Sequence, residues 1–491
     1  MPVFRKNKGT SSPDHSRTVK KIGFWLGPVL FLLIFFFCSP AGMPHPALVV
    51  VAITVWISVW WITEPVPLPV TSLLPIILFP LTGVTKLSAT TSSYGQPIIF
   101  IFIGGFLLAI AIEKTGFHKR IAFKIIRSMG TKLSMIVLGF MISTAFISMW
   151  ISNTATAIMM LPIGLAIISM ISTEDTAHRD NFRKALMLAI AYSASIGGLA
   201  TIIGTPPNLV FVGVVKDLYG AEISFLQWFY IGFPVAALLL FISWWYLVRI
   251  GFPLGHARLA GGNEELDKHL EETGIMSTAE KRVAVVFITM AIAWVIRSFV
   301  LEKIIPGIDD TIIAMTGGVS LFMIPSGDGK NGRLLTWEDS IKLPWGIILL
   351  FGGGLALADA FESSGLAAWI GQDMTAFKGL GLLFIIFLIV TSITFLTEFT
   401  SNLATVTMML PVIAPIAVAA GVHPYMLMVG ATLAASCGFM MPAGTPPNAI
   451  AFGSGYLSIW DMVKAGFWVD VASIIVITLV VYFLLRPMWG I

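Results

Sequence analysis

Apolar runs of roughly 20 residues recur along the whole chain, and each is long enough to cross a bilayer as a helix. They fall at 23–39, 47–64, 70–86, 97–113, 185–215, 226–248, 282–300, 310–325, 345–361, 424–452 and 467–486, eleven in all. A hydrocarbon solvent offers the backbone no hydrogen bonds, so such runs must satisfy their own N–H and C=O groups as helices. Composition agrees, with 57% hydrophobic and 11% charged residues against the roughly 25% charged share of a soluble domain. The expectation is an all-α polytopic membrane protein with eleven transmembrane helices in one membrane domain.

The net charge is only +4, and lysines and arginines gather between the apolar runs, so no basic face exists for nucleic acid. Cys38 and Cys437 support neither a disulfide framework nor a metal site. A basic N-terminus (Arg5, Lys6, Lys8, Arg17, Lys20, Lys21) leads into the run 23–39, and the following FFFCSPAG supplies no convincing cleavage or lipidation site. That run is read as a retained first span.

Two longer apolar stretches, 134–171 and 380–420, are each interrupted at the middle by a polar cluster without Lys or Arg, SNTAT and TSNLAT. Each predicts a helical hairpin. The chain also repeats itself: FIGGFLLAIAIEKTG at 102–116 matches FGGGLALADAFESSG at 351–365, and SNTATAIMMLP at 152–162 matches SNLATVTMMLP at 401–411, both displaced by 249 residues. GTPPNLVFVG at 204–213 matches GTPPNAIAFGSG at 444–455 with a displacement of 240. The organisation expected is a tail with first helix at 1–46, a first repeat at 47–250, a hydrophilic linker at 251–281 and a second repeat at 282–491.

From residue 47 each half holds five spans and one hairpin, and a hairpin contributes an even number of crossings. Five is odd, so the halves enter the membrane in opposite senses, as in many secondary transporters. Lys114, Lys119, Arg120, Lys124, Arg127 and Lys132 precede the first hairpin, whereas only Lys378 occupies the corresponding stretch of the second half. The first hairpin therefore opens to the cytoplasm, with the N-terminus and linker inside and the C-terminus outside a cell inner membrane. FHKRIAFKIIRSM at 117–129 reads as an amphipathic interfacial helix.

Ser, Asn and Thr in the middle of an apolar hairpin are costly unless something satisfies them, and broken backbone at that depth must face protein or a cavity. Helix halves meeting there expose N–H groups that attract anions and C=O groups that attract cations. Ser152, Asn153, Thr154, Ser401 and Asn402 supply donors. Gly204 to Asn208 and Gly444 to Asn448 must break their helices, because proline removes an N–H and disfavours α geometry before it. The freed carbonyls are candidate sodium ligands. A single Ser-Asn-Thr is ordinarily interhelical glue and a lone GTPPN a kink; two copies of both, in order, point to a site.

Glu398 is the only formal charge in either hairpin, either a proton-coupling carboxylate or, as favoured here, a structural acceptor. Glu113, Asp359 and Glu362 lie near span ends where solvation is the default, Asp470 and Arg297 are ambiguous, and Glu64 marks a helix end. His118, His178, His256 and His269 form no metal-ligand spacing. No catalytic triad, nucleotide loop or dinucleotide fingerprint stands in a suitable context, so an enzyme is not expected.

The paired hairpins, the paired GTPPN motifs and ISMWISNTATAIMMLP together resemble the divalent anion/sodium symporter family, the dicarboxylate transporters. The resemblance implies import of C4-type dicarboxylates (succinate, malate, fumarate) with sodium ions, by a homodimer whose transport domain moves like an elevator against a scaffold. It implies one sodium site at Ser148, Ser152, Asn153 and Gly204, another at Thr397, Thr400, Asn402 and Gly444, and substrate contacts at Ser152, Asn153, Thr154, Ser401, Asn402, Thr445 and Pro446. Leu403 departs from the pattern, standing where some members carry a second Thr. An electroneutral exchanger, a proton-coupled carrier, or a sulfate or tricarboxylate carrier of the same fold are the alternatives.

Overall fold

The computed structural model describes residues 13–169, 176–255, 257–258, 274–327, 332–373 and 380–491. Most of the linker, residues 170–171 of the first hairpin stretch and the polar N-terminal tail to residue 12 lie outside the described residues. Among them every regular element is helical, and the only extended pairings are isolated bridges, Lys132 with Arg258 and Pro325 with Arg333. Eight helices are long and apolar enough to cross a membrane, and six shorter apolar ones run 10–17 residues.

The chain opens with α1 (Pro13–Phe37) and α2 (His45–Thr63). α2 ends at Glu64, whose φ of 44° makes it the only non-glycine residue with positive φ among those described. The run expected at 70–86 is two short pieces, Leu68–Thr71 and Leu74–Thr82, because Pro75 has no N–H to bond back to Thr71 and continue one helix. Next come α3 (Pro97–Thr115), the amphipathic α4 (Phe117–Ser128), and the first hairpin, α5 (Leu133–Ser148) with α6 (Asn153–Ser169). The run expected at 185–215 is interrupted: α7 (Thr176–Gly198) stops, and α8 (Pro206–Tyr219) starts again at the paired prolines. α9 (Phe225–Tyr246) follows.

After the linker the same order returns. α10 (Thr278–Ile296) and α11 (Asp310–Met323) lead to α12 (Trp345–Ser363), the short α13 (Leu366–Asp373), and the second hairpin, α14 (Leu382–Thr397) with α15 (Asn402–Ala419). The run expected at 424–452 is likewise broken into α16 (Pro424–Ala435) and α17 (Pro446–Gly453), before α18 (Ile459–Val480). α5 and α14 start and stop 249 positions apart, the displacement seen in the sequence. So do the left-handed glycines, Gly116 (φ 77°) and Gly365 (φ 79°), that turn α3 and α12 into α4 and α13.

Each broken helix packs across onto the other half: α17 lies against α6 and α7, and α8 against α12 and α15. Glycines let the last helix of each half come close to the broken segment of its own half. A Cβ on Gly232 of α9 would stand 2.3 Å from the Leu199 carbonyl oxygen, and one on Gly466 of α18 would stand 2.3 Å from that of Phe439. In both halves the last helix thus presses on the broken segment.

Ion pairs sit at helix ends. Arg120 of α4 donates to both oxygens of Glu280 in the first turn of α10 at 2.9 and 3.2 Å, with both side chains about nine-tenths buried. Lys114 meets Asp339 at 2.7 Å, Lys184 meets Asp461 at 2.8 Å, and Lys216 meets Glu222 at 2.7 Å. In the last pair the hydrogen bond from Lys216 holds the Glu222 carboxyl below the usual carboxylate range. Arg297, ambiguous from sequence, is buried and paired with Asp310 at 3.4 Å.

Candidate functional site

At the first hairpin tip α5 ends at Ser148 and α6 begins at Asn153. The Ser152 carbonyl accepts from Thr156 N at 2.9 Å and its hydroxyl from Ala155 N at 3.3 Å, which closes the first turn of α6. The buried Ser148 hydroxyl lies 2.6 Å from the Ala194 carbonyl oxygen of α7 and 2.8 Å from Asn153 Oδ1. With its amide nitrogen turned inward, Asn153 donates to Ser148 Oγ at 2.8 Å, Ala194 O at 3.0 Å and Gly204 O at 3.2 Å. With its amide oxygen inward, four oxygens converge with no hydrogen between most of them. The nitrogen-inward arrangement satisfies these contacts within the protein, whereas the oxygen-inward one needs a cation among the oxygens.

The broken segment after α7 supplies the carbonyls. Asn208, the last residue of GTPPN, is buried and donates through Nδ2 to Gly198 O at 3.0 Å and Thr201 O at 2.8 Å. It thereby replaces helix hydrogen bonds that Pro206 and Pro207 cannot make. Thr201 Oγ1 reaches across to Met149 O at 2.5 Å, tying the segment to the hairpin tip.

The second tip follows the same plan. Thr397 Oγ1 lies 2.8 Å from Asn402 Oδ1 and 2.8 Å from the Ala435 carbonyl oxygen of α16. Asn448 Nδ2 donates to Gly438 O and Met441 O, each at 3.0 Å. Ser401 stands at the N-cap of α15 with no side-chain cap, which leaves the N–H groups of its first turn available. The Thr400 hydroxyl is directed into its own hairpin, to Leu396 O at 2.9 Å and Thr405 Oγ1 at 2.5 Å. That hydroxyl is therefore already partnered within the hairpin. Thr445 is buried with its hydroxyl unpartnered, whereas Pro446 is exposed. Gly444 lies beside Glu398, a Cβ there falling 3.0 Å from Glu398 Oε2.

Glu398 is 1% exposed and accepts from Met440 N and Met441 N at 2.9 Å each, the structural acceptor role favoured from sequence. Leu403 is 7% exposed and packs in the apolar core. Asp470, ambiguous from sequence, is fully buried and accepts from Phe439 N at 3.2 Å. Ser195 and Ser436, each following the carbonyl that faces Ser148 or Thr397, are buried hydroxyls without a partner. Sequence reasoning missed the Ala194 and Ala435 carbonyls, Gly198 and Gly438, although all lie within stretches that repeat around the GTPPN motifs. No group of three or more His, Cys, Asp or Glu residues arranged for a metal occurs among the described residues.

Helices of membrane-spanning length, two polar hairpin tips without Lys or Arg and two helices broken beside them define a polytopic transporter of the bilayer. Residues 20–490 match the family described as the sodium:sulfate symporter transmembrane region, and the chain belongs to that family. It is 46% identical over 480 residues to the sodium-dependent dicarboxylate transporter SdcS of Staphylococcus saprophyticus, covering 96% of this chain and 92% of the relative. It is 45% identical over 478 residues to SdcS of Staphylococcus aureus strain USA300, with 96% and 92% covered. Two solved structures share the fold at low identity. Neisseria gonorrhoeae MtrF has a TM-score of 0.58 at 11% identity, covering 95% of this chain and 97% of its own. The Alcanivorax borkumensis YdaH transporter has 0.55 at 12%, covering 91% and 99%.

Proposed function

We propose that the protein is a transporter, not an enzyme, that imports C4 dicarboxylates such as succinate, malate and fumarate together with sodium ions. The observation that carries this reading is the matched pair of oxygen clusters, Ser148–Asn153–Ala194–Gly204 and Thr397–Asn402–Ala435, at tips without Lys or Arg. A dianion needs compensating charge in a site of low dielectric, and bound sodium supplies it. An inside-negative potential opposes entry of a dianion by about 4.6 kcal/mol per 100 mV, twice the roughly 2.3 per unit charge. Two sodium ions cancel that opposition. The names of the relatives, sodium-dependent dicarboxylate transporters at 45% and 46% identity, support the same choice of ion and substrate.

In this reading Ser148, Ser152, Asn153 and Gly204 hold one sodium, and Thr397, Thr400, Asn402 and Gly444 hold the other. The substrate carboxylates meet Ser152, Asn153, Thr154, Ser401, Asn402, Thr445 and Pro446, drawn by the N-termini of α6 and α15. The halves 47–250 and 282–491 are inverted repeats. A homodimer in the cell inner membrane, N-terminus inside and C-terminus outside, carries both hairpins across as an elevator.

Succinate uptake into proteoliposomes, with and without an inward sodium gradient, tests the reading. Accumulation only with the gradient is expected. Sodium-independent counterflow of dicarboxylates overturns symport in favour of exchange, and preference for sulfate or citrate over succinate overturns the substrate assignment.

A further inference from the structure

The two tips differ in how the backbone turn behind each is held. In the first half, Leu199 to Thr201 is fastened by neutral groups, Trp228 Nε1 donating to Leu199 O at 3.0 Å and Thr201 Oγ1 donating to Met149 O at 2.5 Å. In the second half two carboxylates divide three consecutive N–H groups. Asp470 takes Phe439 N at 3.2 Å, and Glu398 takes Met440 N and Met441 N at 2.9 Å each. Glu398 occupies the position of Met149 in the repeat, and among the described residues neither acid has a Lys or Arg as a hydrogen-bond or ion-pair partner.

A trans peptide sets its N–H and C=O in opposite directions. With the N–H groups of Phe439, Met440 and Met441 fixed on the acids, the carbonyls of Gly438, Phe439 and Met440 must turn the other way. Gly438 stands against Thr397, a Cβ on it falling 3.4 Å from Thr397 Cγ2, and its carbonyl is one of the two that Asn448 holds. The turn therefore bears on the second tip through Gly438, which stands against the Thr397 side chain that faces Asn402 and the Ala435 carbonyl. Asp470 reaches it from α18, a helix that Gly466 brings into contact with the same segment.

We propose that Asp470 is a positioning residue for the second sodium site, fixing with Glu398 the turn Phe439–Met441 and through it Gly438, which stands against Thr397. The inference rests on the symport reading. Asp470 touches neither ion nor substrate, so its effect falls on sodium affinity rather than on maximal rate.

The test is the sodium dependence of succinate uptake by the full-length protein in proteoliposomes. Asp470→Ala removes the acceptor of a buried N–H and is expected to raise the sodium half-saturation by about ten-fold, with the rate at saturating sodium kept within about three-fold. Asp470→Asn keeps an acceptor oxygen and is expected to restore the half-saturation to near the wild-type value. Combined with Thr397→Ala, the Ala variant should shift less than the product of the single effects, and combined with Ser148→Ala it should shift by the product. Should Asp470→Ala not reach the membrane, Asp470→Ser carries the same expectation, read as a smaller sodium-induced rise in melting temperature of the purified protein.

A wild-type sodium half-saturation in the Ala or Ser variant overturns the inference. So does an equal loss of maximal rate in the Ala and Asn variants with no shift in sodium dependence, the signature of packing alone. A wild-type protein without sodium dependence rejects the symport reading, and the inference with it.

Discussion

Gly198 stands so close to Asn153 that a Cβ on it would lie 2.5 Å from Asn153 Oδ1 and 3.1 Å from the Gly204 carbonyl oxygen. The two oxygens it would strike are those proposed to hold sodium, and Asn153 is pinned from the other side by Ser148. Gly198→Ala is therefore expected to raise the sodium half-saturation of uptake by about ten-fold, the scale of an overpacked site. Sodium titration of succinate uptake measures this, and an unshifted curve counts against Gly198 serving the site.

Each hairpin asparagine joins its tip to the oxygen cluster beside it. Asn153→Ala and Asn402→Ala are each expected to abolish uptake while leaving a folded protein. Transport assays paired with melting curves and size-exclusion profiles separate the two effects. Near-normal uptake by either variant would remove its tip from the proposed site.

The Arg120–Glu280 pair fastens the interfacial helix α4 to the start of α10 with both side chains buried. Arg120→Met leaves a buried carboxylate unpaired, a change that costs about 3–5 kcal/mol. A marked fall in melting temperature is expected, with part of it recovered in Arg120→Met/Glu280→Gln. If the double variant is no more stable than the single one, the pairing is not what stabilises this end.

Leu403 packs in the core rather than opening toward the tip. Leu403→Thr trades methyl groups for a buried hydroxyl, at about 1–3 kcal/mol. A lower melting temperature is expected, with the succinate KM kept within about three-fold. A large change in preference between succinate and citrate or sulfate would show that residue 403 reaches the substrate after all.

What sequence exposes about this site follows from contrast. Ser152, Asn153, Ser401 and Asn402 stand out because polar side chains interrupt apolar runs without Lys or Arg, and the GTPPN motifs stand out because paired prolines cannot continue a helix. Ala194, Ala435, Gly198 and Gly438 act through carbonyls or through the lack of a side chain, so their letters resemble any apolar helix. Asp470 is visible as an acid in an apolar run, yet its depth is set by Gly466, whose bare backbone lets α18 sink onto Phe439. The split of 68–82 was signalled by its prolines and hidden by the unbroken hydrophobicity around them.

The crossed packing of α8 and α17 bears on how such a chain can be assembled. Either half by itself leaves its broken helix without the surface it rests on, so pieces cut at the linker are expected to be stable only when made together. The fold is in effect an exchanged pair written as a single polypeptide, and the loop joining its halves serves to fix their one-to-one ratio.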